Sequence, residues 1–238
     1  MSKNIKITLG SVYLIILIAF LYFIFSKFDI SRIDDFSYYK TIQLNIDEII
    51  GNNLILNLIL FSLFSIIWVV LCGFGTPLLL LSGILFGKWI GTLISIFSIT
   101  IGALCLYMIA NYFFLNLIEQ ILKDKFSKFI ERFKDKEFYY FFAYRLSGGL
   151  GIPFFLQNLL PVIFKIKNTN YFFGSLLGFI PHFFIWNAMG AGINKFVQES
   201  DEFNLLHLIL SKEIYVPLLI FIFLILLSLF IKKKFFND

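Results

Sequence analysis

Charge is scarce in this chain, and acid is missing from most of its apolar length. Only 15% of the 238 residues are charged and mean hydropathy is +0.88, against roughly 25% charged residues in a soluble domain. A soluble globule of this composition has too little polar surface to cover itself. No Asp or Glu falls between Glu48 and Glu119, or between Glu137 and Glu199. Proton-coupled transporters ordinarily keep an intramembrane acid, histidine or both, and here only His182 qualifies; His207 is expected near an interface. The two cysteines, Cys72 and Cys105, sit in separate apolar runs, which excludes a disulfide framework or a metal motif and leaves buried, inert thiols. There is no GxSxG, HExxH or P-loop and no paired carboxylate in the apolar region. An enzyme is therefore the least expected class, and neither a cofactor, a metal nor a nucleic-acid partner is expected.

Proline is also rare, and two of the five prolines mark a motif that occurs twice. Gly73-Phe74-Gly75-Thr76-Pro77 interrupts one apolar stretch, and Gly149-Leu150-Gly151-Ile152-Pro153 interrupts another 76 positions later. Glycine weakens a helix and proline cannot donate its hydrogen bond, so both stretches must bend. Non-helical backbone at membrane depth survives only where protein buries it or it lines a wet cavity. Paired breaks in two halves of a chain point to a transporter's binding site, built where the breaks meet. At the same offset Leu80, Phe97, Gly102 and Asn111 also match Leu156, Phe173, Gly178 and Asn187, without a gap.

The predicted fold is an all-α polytopic membrane protein with about five spanning helices, near 8–25, 53–72, 89–113, 171–193 and 214–231. The stretches 74–88 and 138–164 fit poorly as simple spans and read as two opposed re-entrant hairpins of an inverted repeat. The first run, 8–25, lacks a small-x-small cleavage site and is kept as a membrane helix. Three regions follow: an N-terminal helix and polar loop (1–52), a core (53–193) with an amphipathic linker at 114–137, and a C-terminal helix with a basic tail (194–238). With an inside C-terminus, 14 basic residues lie inside, Lys165, Lys167 and Lys232 to Lys234 among them, and five outside: Lys3, Lys6, Lys88, Lys195 and Lys212. The positive-inside rule favours that orientation. In the linker, Ile118, Leu122, Phe126, Phe129 and Phe133 recur at helical spacing, as in a helix lying in the interface.

Arg145 is the one basic residue well inside an apolar hairpin. An Arg at depth costs roughly 2.5–3.5 kcal/mol on insertion scales, so it needs a partner or a route to water. Two readings stand: a side chain snorkelling at the hairpin mouth, or a contact to a substrate phosphate, which suits a guanidinium's bidentate geometry. Gln157 and Asn158 flank the second break and are candidates for the same contact, with Pro77 and Pro153 keeping backbone groups free. Lys165 and Lys167 are placed to gather anionic lipid. Gly73, Gly75, Gly83, Gly87, Gly149, Gly151, Gly178 and Pro181 are read as structural residues of the hairpins and their partner helices.

G-F-G-T-P-L-L-L-L-S-G-I-L-F-G-K-W-I-G followed by I-G-A-L resembles the first signature of the DedA/VTT superfamily. Y-R-L-S-G-G-L-G-I-P-F-F-L-Q-N-L-L-P, then G-S-L-L-G-F-I-P and N-A-M-G-A-G, resembles its second. The Tvp-type branch, also called SNARE-associated Golgi proteins, is the nearest fit, with a bacterial member expected, and the resemblance covers about 53–193. It implies opposed re-entrant hairpins, a cytoplasmic C-terminus, and a role such as lipid scrambling, undecaprenyl-phosphate recycling or envelope homeostasis. It carries over to Pro77, Gly83, Gly87, Arg145, Pro153 and Asn158. The chain departs from the family pattern in lacking acids in and before the first hairpin, and in extra glycines between Arg145 and Pro153.

The expected function is thus a multi-pass transporter of a phosphate-bearing lipid in the plasma membrane. The alternatives are a small-solute transporter, proton-coupled through His182, and a non-transporting scaffold that uses the amphipathic linker. Membrane lipids are the expected partners, and oligomeric state is not legible.

Overall fold

A computed structural model describes the backbone of residues 36–200 and 204–235 and, nearer the N-terminus, Val12, Ile15, Ile18, Ala19 and Tyr22. Two compact units divide the chain, Met1–Ile42 and Gln43–Asp238. In the first, every described residue is helical; most of the expected span 8–25 lies outside the described residues. Across the described residues the regular elements are helices, with no strand, so the all-α expectation holds. They are α1 (Phe36–Asn52), α2 (Leu54–Val70), α3 (Gly75–Asp135), α4 (Glu137–Leu146), α5 (Phe154–Leu159), α6 (Asn168–Gly178), α7 (Ile180–Glu199), α8 (Leu205–Leu210) and α9 (Lys212–Phe235). Short 3-10 turns at Gly148–Gly151 and Leu160–Phe164 flank α5.

The first break is a reversal, and it falls later than the sequence pattern places it. Within α3 only Gly87 is non-helical, at φ 72° and ψ 175°. Ser82 Oγ donates to the Gly91 carbonyl at 3.0 Å. A continuous helix would separate residues nine apart by roughly 13 Å along its axis, so the chain folds back at Gly87. Lacking a Cβ, Gly87 takes this left-handed φ without steric cost. The expected hairpin 74–88 is therefore a single arm that ends in the turn, and the head of the expected span 89–113 is its return arm. Hydropathy runs unbroken through both arms, which is why periodicity could not locate the turn.

The second break follows the expected hairpin 138–164 more closely. Here α4 is one arm, α5 with its 3-10 extension is the other, and the Gly/Pro motif joins them. Gly148 and Gly149 both sit at positive φ, 69° and 70°. Both helices that follow a Gly/Pro motif end on a left-handed residue: Gly87 in the first case, Lys165 (φ 51°) in the second.

Long straight spans are few. Among the described residues, Gly75–Phe113 is long and apolar enough to cross a membrane, although the reversal at Gly87 shortens it to the part beyond the turn. Asn168–Gly178 and Ile180–Glu199, bent by 45°, form a second if they make one crossing. Pro181 lies in the first turn of α7, where its missing N–H breaks the ladder to the helix before it. The linker 114–137 is not set apart by a backbone break, since α3 stays helical from Gly87 to Asp135; the side chains at 114–133 lie outside the described residues.

Close helix packing fixes the core. A Cβ on Gly83 would strike the Asn187 carbonyl, one on Gly190 the Leu80 carbonyl, and one on Gly102 the side chain of Val69 and backbone of Ile66 in α2. Small residues at these points let α3 lie against α7 and α2, as membrane helices commonly pack. Phe61, Phe86, Ile99, Tyr107, Phe141, Tyr171 and Phe183 are buried in one cluster around them.

Candidate functional site

The first Gly/Pro motif lies against the residue that follows the second. Gly75 lies against the Phe154 ring, so that a Cβ there would sit 3.2 Å from it. The first motif is closed by Trp68, whose Nε1 donates to the Phe74 carbonyl at 2.9 Å and whose carbonyl accepts from Gly73 N at 2.8 Å. The second is closed by Gln157, whose Nε2 donates to the carbonyls of Gly148 (3.1 Å) and Ile152 (2.6 Å). Gly149 is pressed against the same side chain. Gln157 thus braces the turn through its Nε2.

Beside this junction Arg145 is buried, with 1% of its surface exposed. The snorkelling reading is overturned: the guanidinium lies inside the protein, not at a wet hairpin mouth. Gly178 of α6 makes room for it by lying against its Cβ. Its Nε donates to Ser175 Oγ at 3.1 Å, and its Nη2 to Asn158 Oδ1 at 2.8 Å and to Tyr171 OH at 2.7 Å. Tyr171 OH in turn donates to the Asn158 carbonyl at 3.2 Å. Three rings enclose the cation, with Cζ 4.8 Å from the Phe179 centroid, 5.0 Å from Phe141 and 5.2 Å from Tyr171.

Among the described residues, no acid enters this shell. The nearest in sequence, Glu137, accepts instead from Lys167 N (2.6 Å) and Asn170 Nδ2 (3.0 Å) through Oε1. Hydrogen bonds to a charged group contribute about 1.5–3 kcal/mol each, and a desolvated cation–π contact about 2 kcal/mol. Together they offset an insertion cost of roughly 2.5–3.5 kcal/mol. Because every partner is neutral, they do so without cancelling the charge. Two donors of the cluster, Arg145 Nη1 and Asn158 Nδ2, are buried and have no acceptor among the described residues. The arrangement is a buried, cationic, donor-rich cluster.

The other expected site residues lie apart from it. Pro77 and Pro153 are exposed, the latter as the residue before α5. Lys165 and Lys167 are exposed at the break before α6, with no described contact to Arg145. Gly151 closes the 3-10 turn Gly148–Gly151. His182 packs edge-on to Phe221 at 5.2 Å and lies against Gly148. Sequence reasoning missed Tyr171 and Ser175. Their four-residue spacing on α6, interleaved with Gly174 and Gly178, is a signal of one closely packed polar face.

Comparison with known proteins agrees with the motifs. The VTT domain model matches residues 69–192. Transmembrane protein 41 homolog of Dictyostelium discoideum is 29% identical over 154 residues, which is 62% of this chain and 46% of that protein. The chain therefore spans less than half the length of that relative. No solved structure matches it. With the VTT match covering more than half of the sequence, and both Gly/Pro signatures inside it, the chain belongs to the VTT-domain family of membrane proteins.

Proposed function

We propose that this protein is a multi-pass transporter that moves a phosphate-bearing lipid across the plasma membrane, in the manner of a scramblase. One observation carries the reading: a buried, un-neutralised Arg145, with donors left over on Nη1 and on Asn158 Nδ2, beside the junction of the two Gly/Pro motifs. An anionic headgroup supplies the acceptors and the counter-charge that the cluster lacks, and guanidinium geometry matches phosphate. Unwound backbone at the junction offers further polar groups along the path. Asn158 acts with Arg145, while Gln157 holds the turn in shape. Lys165 and Lys167 gather anionic lipid at the cytoplasmic face, at about 1 kcal/mol each near the surface, with the C-terminus on that side.

The test is translocation of fluorescent phosphatidylglycerol and of a neutral lipid in proteoliposomes, with Arg145→Gln and Asn158→Ala variants. Loss of movement in variants that remain folded supports the proposal. Wild-type rates in both would remove Arg145 from the pathway.

A further inference from the structure

Given the lipid-transport reading proposed above, the charge at the Arg145 cluster restricts which headgroup fits. Among the described residues Arg145 brings the one formal charge of the shell. Its hydrogen-bonding partners are the neutral Ser175, Asn158 and Tyr171. Glu137, at the other end of α4, is engaged by Lys167 N and Asn170 Nδ2, and Lys165 and Lys167 are exposed. The shell is therefore short of one negative charge, and of acceptors for Arg145 Nη1 and Asn158 Nδ2.

We propose that the cluster selects lipids whose headgroup is a monoanionic phosphodiester without an amine, phosphatidylglycerol being a simple case. A phosphodiester carries one negative charge, which balances Arg145, and its two non-bridging oxygens supply an acceptor for each orphaned donor. A phosphate monoester carries nearly two charges at pH 7, and beside a single cation the second stays buried and unpaired, which is strongly unfavourable. A zwitterionic diester adds an ammonium, and no acid among the described residues of the shell receives it. The rings do not replace an acid. They stand 4.8–5.2 Å from Arg145 Cζ, and Tyr171 and Phe179 are also stacked on Tyr107 and Phe183.

The headgroup enters by way of α5. The shell is closed in this state, with 1% of Arg145 exposed and none of Asn158. Asn158 stands on α5, a six-residue helix flanked by 3-10 turns, and Gly148 and Gly149 ahead of it take positive φ. Displacing this one short helix uncovers the orphaned donors.

The experiment offers the full-length protein equal amounts of phosphatidylglycerol, phosphatidate, phosphatidylethanolamine and phosphatidylcholine in detergent, and reads the retained lipid by native mass spectrometry. Phosphatidylglycerol is expected to exceed each of the others about tenfold or more, since an unmatched buried charge costs at least that factor. Asn158→Asp is the decisive variant. It places a carboxylate where Oδ1 accepts from Arg145 Nη2 at 2.8 Å and so neutralises the cluster from within. It is expected to abolish the preference while the melting temperature stays at or above that of wild type. Arg145→Gln is expected to abolish the preference too. Equal retention of phosphatidylglycerol and any of the other three, or a preference that survives both substitutions, would overturn the inference. Displacement of the lipid by equimolar soluble glycerophosphoglycerol would make a free phosphodiester the ligand and overturn the lipid assignment. Selective retention without translocation in proteoliposomes removes the transport reading and leaves the charge match standing; translocation of all four lipids alike does the reverse.

Discussion

Arg145 sits among residues 13, 26 and 30 positions away along the chain, namely Asn158, Tyr171 and Ser175. Its isolation as the one cation in an apolar hairpin was visible in the sequence. The identity of its partners was not, because no local pattern links positions so far apart. Lysine at this position keeps the charge but loses the planar fork that serves Ser175, Asn158 and Tyr171 together. Arg145→Lys is expected to slow lipid movement by roughly tenfold or more, since one charged hydrogen bond alone contributes about 1.5–3 kcal/mol; proteoliposome assays read this. Tyr171→Phe removes one acceptor from Arg145 and one donor from the Asn158 carbonyl. It should destabilise the fold by about 1–3 kcal/mol through unsatisfied buried groups, seen as a lower melting temperature in detergent. An unchanged melting temperature would mean that the cluster is held by its aromatic faces alone.

Among the elements, the glycines of the first arm separate into two kinds. Gly87 has open space around its Cβ position but a positive φ, whereas Gly83 is blocked by the Asn187 backbone carbonyl. Gly87→Ala therefore meets only the backbone penalty of a glycine-favouring conformation, about 1–3 kcal/mol. Gly83→Ala must push α7 off α3, and should lower the melting temperature further or prevent folding. A reversed order would show that the turn, not the packing, governs the hairpin. The α7–α9 pair carries a different signal. The hydrogen bond from Lys195, with neighbouring charge, holds the Glu213 carboxyl below its ordinary 4.5. The same hydrogen bond, with Glu199 adding to it, holds the Lys195 ammonium above 10.5. The carboxyl's share of stability is thus present above pH 4.5 and lost as pH falls through the depressed value. The ammonium's share is present below pH 10.5 and lost as pH rises through the raised one. Glu213→Gln is expected to flatten both edges of a melting temperature against pH profile, and profiles identical to wild type would rule this pair out as their source.

For the molecule as a whole, the meeting of Gly75 with Phe154 joins the two halves of the sequence repeat at one point. The two left-handed ends at Gly87 and Lys165 lie beyond that junction on their own arms. Single cysteines at Lys165 and Lys212, in a chain with Cys72 and Cys105 replaced by serine, test the expected orientation. Membrane-impermeant maleimide is expected to label position 212 from outside intact cells and position 165 only after lysis. Labelling of both from one side would remove the inverted arrangement and, with it, the five-crossing reading.

Composition and local chemistry alone determined that this is an all-helical membrane protein, and its two Gly/Pro signatures carried the resemblance to the VTT family. They also located its second backbone break and marked Arg145 as its unusual charge. These follow from hydropathy and from the fixed conformational limits of glycine and proline, which act within a few residues. Tertiary structure decided what depends on distant residues coming together. It moved the first reversal to Gly87, turned Gln157 into a brace, and buried Arg145 in a shell of neutral partners. Burial and pairing at such sites are set by which helices pack together, and an apolar sequence is compatible with many packings before one of them is chosen.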